Sequence, residues 1–549
     1  MNHASGTPAQ LQPVFAYHEA TKHAHGAYAR GPGFLDWANQ PDPFRRYRGA
    51  PLHLLERVPP AGTPRYDDVF APDAGPAPQP VNLRTLSQLF FDSLALSAWK
   101  RAGTNRWALR VNASSGNLHP TEGYLVCGPV SGLCAAPAVY HYAPRAHGLE
   151  QRACLTPALW QRLSAGFPDG TCFLALTSIP WRESWKYGTR AYRYCMLDAG
   201  HALAALGIAA AGLGWRIRLL DAVATTELGL LLGTAQAAAA EAEEPDMLLA
   251  CLPVTSAAQA ALPRPDAGLL HEFAALDWQG APNRLSPSHV AWGMAAIAAC
   301  VRKPHGVADY ARGVMLPRPF LPPPRAVPLR PLLRQRRSAV AMDGVSRIAC
   351  DTFYRMLERT LAAPGALPWS CLPWAPQVHL VVFVHRVDGL APGLYLLVRD
   401  PAQTAALRAA IAQAACWYQP PGCPAALPLY CLQEADLRAT ARALACHQAI
   451  ASDGCFSLAM LAHFRAPLGQ YGPWFYPRLH WEAGMLGQLL YLEAEAAGMR
   501  ATGIGCYFDD ALHALLGLPD NTFQDIYHFT VGAAVEDERL TTEPAYPEA

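Results

Sequence analysis

Charge is scarce in this chain: of 549 residues, 44 are Lys or Arg and 43 are Asp or Glu, 16% in all. So even a balance offers no basic excess or stripe for nucleic acid. With 51% hydrophobic residues, the composition is that of a compact globular protein, not a disordered one. The 15 cysteines include no CxxC pair and no regular spacing, which excludes a secreted disulfide framework and points to reduced thiols in a cytoplasmic protein. The N-terminal residues lack the apolar core of a signal peptide. No run reaches the roughly 18 apolar residues of a membrane span. Residues 197–213, rich in Ala and Leu, come nearest, but Asp198 and His201 near their start argue for a buried core helix. Neither GxGxxG nor GxxxxGK(S/T) occurs, so the common nucleotide-phosphate loops are excluded.

What is present is a message given twice. Asp198-Ala199-Gly200 opens an apolar stretch through Leu206, Ala210 and Gly214 to Leu231-Leu232-Gly233. The same pattern returns 284 residues later, without a gap, as Glu482-Ala483-Gly484, Leu490, Ala494, Gly498 and Leu515-Leu516-Gly517. A repeat at this distance is a duplicated domain, since solenoid repeats are far shorter. The copies differ in polar loops. The first alone carries Ser114-Ser115-Gly116-Asn117, and the second alone carries Arg336-Arg337-Ser338 and Gly503-Ile504-Gly505. Such complementary losses predict one ligand site built from both halves.

Four segments follow from composition. Residues 1–80 form a leader whose prolines forbid long helices and whose Trp37, Phe44 and Tyr47 give it something to bury; it reads as an ordered strap on the body. Residues 81–255 form the first domain, with a helix over 83–99, strands at 124–127, 139–142 and 172–177, and a long helix over 194–214 closed by Gly214. Residues 256–325 form an irregular linker, stiffened by the prolines at 318–324. Residues 326–549 form the second domain, with a helix over 351–361, strands at 378–385 and 393–395, and a long helix over 481–497. Helices and strands intermix without strict βαβ alternation, so the class is α+β.

Several groups could carry chemistry. Arg336-Arg337-Ser338, expected just before a helix, offers two guanidinium forks and a hydroxyl to a phosphate monoester, and is otherwise a solvated charge cluster. Ser114, Ser115, Gly116 and Asn117, followed by His119-Pro120, make a turn able to hydrogen-bond a flat heteroaromatic ring and its polyol, or an ordinary turn. Gly503, Ile504 and Gly505 allow a ligand close to the backbone, or merely join a helix to a strand. Lys186-Tyr187-Gly188, with Arg190, Tyr192, Arg193 and Tyr194, is a cationic and phenolic cluster fit for acid–base work or for a packed lid. His18, His23 and His25 crowd one proline-rich stretch and read as structural; no metal site is expected.

Together these elements resemble the nitroreductase superfamily, specifically its SagB/ThcOx-type branch. The resemblance covers roughly 81–255 and 325–540. The family's Arg-Arg-Ser-x-Arg opening is matched by Arg336, Arg337 and Ser338, with Val340 at the third arginine. Its serine/asparagine loop is matched from Ser114 to Glu122. Its Lys-Tyr-Gly-x-Arg-x-Tyr-Arg-Tyr signature is matched from Lys186 to Tyr194, and its Glu-Ala-Gly helix and Thr-Gly-Ile-Gly loop at 482–484 and 502–505. The resemblance implies two tandem nitroreductase-like domains forming a pseudo-dimer within one chain, with one surviving FMN site and one dead one. It implies that Arg336, Arg337, Ser338, Ser114, Ser115, Asn117, Gly503, Ile504 and Gly505 hold FMN, and that Lys186 and Tyr187 serve acid–base catalysis. It also implies hydride transfer from a peptide-derived azoline or another small heterocycle to the flavin, beside a cyclodehydratase-type partner. A nicotinamide-dependent nitro or quinone reductase and a non-catalytic flavin- or peptide-binding scaffold are the competing readings.

Overall fold

Runs such as TEGYLVC and VHLVVFV, rich in β-branched and aromatic residues, become the central strands Thr121–Cys127 and Val378–Val384 of two separate sheets. The computed structural model describes residues 7–71, 75–234, 239–254, 262–306, 308–310, 326–363 and 365–546; the expected proline-rich stretch at 318–324 lies outside these.

In the first sheet the order is Leu52–Leu54, Gly148–Cys154, Ala138–Ala143, Thr121–Cys127, Cys172–Ser178, Glu244–Leu252 and Arg216–Leu219. In the second it is Leu429–Glu434, Gly393–Leu397, Val378–Val384, Phe456–His463, Phe523–Gly532 and Arg500–Ile504. Every neighbouring pair is antiparallel. The two orders coincide strand for strand, apart from Leu52–Leu54, which the leader adds to one edge. The fold is therefore one α+β unit present twice, as the duplicated sequence predicts.

Between the sheets lie two 21-residue helices, Ala191–Ala211 and Tyr476–Ala496, each buried along its whole length. The stretch Pro180–Ala211 is long and apolar enough to cross a membrane, yet its apolar window is wholly inside the protein. The helices cross where the repeated motifs carry glycine. A Cβ on Gly200 would collide with the carbonyl oxygen of Trp481, and one on Gly484 with the carbonyl oxygen of Leu197. Each clash is the image of the other under the 284-residue repeat, so the pseudo-twofold axis passes between these glycines.

Both ends of the chain tie the halves together. The C-terminal strand Thr541–Glu543 pairs with Leu96–Ala102, which pairs with Asn105–Arg110. Tyr546 then buries its ring, donates to the Pro144 carbonyl at 2.6 Å and accepts from the Leu96 amide at 3.1 Å. The leader does bury residues: Phe44 and Tyr47 are inside, and His18 bridges Tyr476 and Gln524 at 3.2 and 3.1 Å.

Some expectations give way. Pro8–Ala20 is a 13-residue helix: Pro8 sits in the first turn, where its missing N–H loses nothing, and buried Leu11, Val14 and His18 anchor it although Pro13 lies inside. Trp37 is 64% exposed, its ring edge-on to Trp185. The helix expected over 83–99 stops at Phe91, and Leu96–Ala102 is a hairpin strand whose apolar residues also fit period two. The first long helix ends at Ala211, before Gly214, and the second begins at Tyr476, ahead of the expected 481.

Gly484→Ala forces a methyl into the Leu197 backbone, and overpacking of this kind costs about 1–3 kcal/mol or more. Denaturant unfolding should show a loss at the upper end of that range. Gly469→Ala, where a Cβ meets nothing within 4 Å, should leave stability unchanged or slightly raised.

Candidate functional site

A cavity of about 500 Å³ opens between the halves, within the roughly 300–1,000 Å³ usual for small-ligand sites. Ser114, Ser115, Gly116, Asn117 and Tyr187 line it from the first half, and Arg336, Arg337, Ser338, Gly503, Ile504 and Gly505 from the second. Lys186 is at its edge: its Nζ stands 3.0 Å from where a Cβ on Gly116 would be.

The serine loop is held in a demanding conformation. Gly116, Asn117 and His119 all have positive φ (56°, 60° and 54°), uncommon for the latter two. Asp198, from the repeated motif, explains how it persists. Its carboxylate accepts from the Ser115 amide at 2.9 and 3.1 Å and from Ser115 Oγ at 2.9 Å. Ser114 Oγ accepts from the His119 amide and Asn117 Nδ2 donates to the Ala108 carbonyl, both at 2.8 Å. In the second half Glu482 does the same work, accepting from the amides of Gln377 and Val378 and pairing with Arg399. Burial pushes the Asp198 carboxyl up to about 7 against the pull of its serine hydrogen bonds.

The lid helix Pro180–Tyr187 ends at Gly188, where φ is 57° and a Cβ would strike the Arg30 carbonyl of the leader. Tyr187 stacks edge-on against Tyr194 at 4.6 Å. Burial and the nearby Glu183 push its phenol well above the ordinary range, so it is neutral. Glu183, one turn before Lys186, is wholly buried with neither oxygen hydrogen-bonded among the described residues; burial, and after it Asp198, push its carboxyl well above the usual range. The same lid recurs 284 residues on as Tyr471 and Gly472, but Gln470 stands where Lys186 does.

The arginine wall differs from expectation. Arg336, Arg337 and Ser338 follow the helix Leu329–Gln335 and do not precede one. Their forks are turned onto the backbone at the seam between halves. Arg336 donates to the Val111 and Arg110 carbonyls, both at 2.9 Å; Arg337 donates to those of Arg334, Arg336 and Ser97 at 2.8, 2.7 and 2.9 Å. They therefore present positive charge to the cavity more than an open bidentate fork. Burial lowers Arg336, and burial with the neighbouring Arg336 charge lowers Arg337 to about 10. An anion in the cavity would relieve both.

Ser338 Oγ meets the Tyr491 hydroxyl at 2.8 Å, which also accepts from the Gly503 amide at 2.9 Å. The glycines are needed less for a ligand than for two rings: a Cβ on Gly503 would collide with the Tyr527 hydroxyl, and one on Gly505 would stand 2.6 Å from the Tyr194 ring. Lys100, Arg500 and Asn112, which sequence reasoning missed, also line the cavity, as does His119 from the serine-loop turn. Asn112 Oδ1 and His119 Nδ1 are buried without a hydrogen-bond partner among the described residues. Nothing in their local pattern signals this, because it depends on what the opposite half brings.

The symmetry-related position is closed. Leu219 and Asp221, counterparts of Gly503 and Gly505, border a void of only about 40 Å³. Asp221 accepts from Arg478 at 2.6 Å and from the Tyr310 hydroxyl, and Trp474 lies 4.4 Å from the Arg478 guanidinium. One site is open and its image is filled.

Burial, with the Arg193 charge, holds the His18 imidazole well below its usual range between Tyr476 and Gln524; among the described residues there is no group of three or more metal-ligating side chains.

No protein-family model and no curated protein matches the sequence. Among solved structures, a candidate nitroreductase of Anabaena variabilis is similar over 95% of this chain and 99% of its own, with a TM-score of 0.64 and 23% identity. That likeness is one of fold, and it spans both halves. A candidate nitroreductase of Ralstonia eutropha (17% identity, 42% of this chain and 93% of its own, TM-score 0.28) also matches. So does a chain of the Escherichia coli microcin synthetase McbBCD complex with truncated pro-MccB17 (19%, 46% and 95%, TM-score 0.27).

Because Asp198 is protonated in the fold up to about pH 7 but ionises near 3.8 when unfolded, stability should fall as pH rises between about 4 and 7. The slope from this group is about 1.4 kcal/mol per pH unit at most. Asp198→Asn, which keeps an acceptor for Ser115, should flatten the dependence of denaturant midpoint on pH; an unaltered slope would show that Asp198 ionises normally.

Proposed function

We propose that this protein is an FMN-dependent oxidoreductase that transfers hydride between a small or peptide-derived heterocycle and its flavin. One observation carries the reading: serine-loop and lid residues from one half and the arginine and glycine segments from the other line a single cavity with desolvated cations and unpaired buried polar atoms. Those features fit the group. Arg336, Arg337 and Arg500 would hold the phosphate by charge. Ser114, Ser115 and Asn117, with Asn112 Oδ1 as an unfilled acceptor, would hold the polyol and the polar edge of the ring. Bound flavin supplies the hydride acceptor.

The chain's own residues supply proton handling. Tyr187, a neutral phenol, is suited to donate or hold a proton and not to abstract one. Lys186, at the edge of the same cavity and without a counterpart in the filled site, is the stronger candidate for base. The Lys-Tyr-Gly-x-Arg-x-Tyr-Arg-Tyr resemblance supports an azoline of a ribosomal peptide as the heterocycle, and a cyclodehydratase-type enzyme as the partner that makes it.

Titration of the protein with FMN, followed by absorbance counting of the released flavin, should give one equivalent per chain, since the image site holds no room. Two equivalents, or none, would remove the reading. Arg337→Ala should weaken FMN binding by about 1.5–3 kcal/mol, the range for a hydrogen bond to a charged group. Riboflavin, which has no phosphate, should bind both forms alike.

Lys186→Ala and Tyr187→Phe should retain FMN yet slow reduction of the flavin by substrate about a hundred- to ten-thousand-fold, measured in single turnovers. Parental rates in both variants would make the pair structural.

A further inference from the structure

The cysteines have no pattern in sequence, yet Cys446 and Cys506, 60 residues apart, meet with their sulfurs 2.8 Å from one another. Cys506 follows the strand Arg500–Ile504 and lines the cavity. Cys446 follows the helix Arg438–Leu444 in a turn where both it and His447 have positive φ, 49° and 61°. That conformation is unfavourable for residues with a side chain and needs support from its surroundings. Gln448, another cavity residue, gives part of that support by donating to the carbonyls of Ala445 and Cys506, both at 2.9 Å.

Both thiols are free and partly exposed, and the surface residue Tyr28 of the leader lies against them. Their electrostatics are unequal. The hydrogen bond from Cys446 and the nearby Arg190 guanidinium lower the Cys506 thiol, against the effect of burial. The same contact, with burial, raises Cys446. Cys506 lines the cavity and Cys446 stands behind it in contact, which places Cys506 to meet an entering disulfide and Cys446 to resolve it. Cys127 and Cys134 show a similar division, with the Cys134 thiol lowered to about 6 by its contact with Cys127, but neither lines the cavity. Cys172 and Cys251 face each other deep in the first sheet, and Cys416 and Cys431 stand 3.8 Å apart away from the cavity.

We propose that Cys446 and Cys506 are a redox-active dithiol in the cavity wall, converted to an internal disulfide by low-molecular-weight disulfides of the glutathione class. The Cys506 thiolate attacks one sulfur of the disulfide RSSR, whose S–S bond breaks, and RS⁻ leaves to take up a proton. Cys446, losing its proton, then attacks the Cys506 sulfur of the mixed disulfide and expels the second RS⁻. In sum two protein thiols lose two electrons and two protons to one RSSR, giving one protein disulfide and two RSH. The new bond ties the 446–448 turn to the strand end that carries Gly503 and Gly505, so the thiol–disulfide balance of the surroundings sets the rigidity of that wall. The chemistry requires no cofactor and stands apart from the flavin reading.

The test equilibrates the intact protein with mixtures of oxidised and reduced glutathione, alkylates the remaining thiols and maps the digest by mass. Oxidising mixtures should yield a peptide pair joined through Cys446 and Cys506, lighter by two hydrogens and separated by dithiothreitol. Cys446→Ser should instead retain glutathione on Cys506, and Cys506→Ser should leave Cys446 largely unmodified at neutral pH. Both cysteines fully alkylated in the most oxidising mixture, or a linkage found only at another pair such as Cys416 and Cys431, would overturn the proposal. Since the unsubstituted protein alone gives these two outcomes, the test stands even if a variant fails to fold.

Discussion

The contact between Gly200 and Gly484 is the constraint on which the rest depends. Two helices without side chains at their crossing point can bring their backbones together, and each then lies against a carbonyl of the other. This closeness sets the separation of the two sheets and carries the loops of one half to the rim of the other. Asp198 and Glu482, two residues before each glycine, reach from the same crossing to pin the chain ahead of each central strand. One repeated tripeptide therefore joins the halves and positions the loops of both potential sites.

The asymmetry of the two sites rests on a few side chains placed on a symmetric frame. Where the second half has Gly505, with the Tyr194 ring packed beside it, a cavity remains. Where the first has Asp221, its charge must be paired because burial would otherwise be prohibitive, and Arg478 and Tyr310 complete the pairing. The aromatic rings over Arg478 fill what space is left. Removing one partner would leave a buried charge, so the closure is cooperative, and the duplication has kept a rigid half-site as a supporting wall.

The open site shows the opposite electrostatic condition. Arg336 and Arg337 are desolvated and adjacent, and their hydrogen bonds go to backbone carbonyls, which satisfy the donors without cancelling the charge. Burial pushes the phenol of Tyr187, in the same cavity, and the carboxyl of Glu183, on the lid helix, well above their usual ranges, and the Asp198 carboxyl up to about 7. Glu495, paired with Arg500, is the nearby counter-charge, and the remaining desolvated arginines suit the cavity to a negatively charged ligand.

Much of this was legible in the sequence because it is local or repeated. The 284-residue repeat, the β-rich strand runs and the polar loops predict two like domains and a shared site, and the residues singled out at 114–117, 186–187, 336–338 and 503–505 do come together. Period alone did not separate a helix from a strand at 96–102, nor foresee the helix at Pro8–Ala20, since burial against distant residues decided both. Which way the arginine forks turn, what the glycines accommodate, the Asp221–Arg478 closure and the meeting of Cys446 with Cys506 are matters of tertiary structure. Each joins groups tens to hundreds of residues apart, and their energies depend on distance and burial, which the backbone sets only after both halves have packed around the glycine crossing.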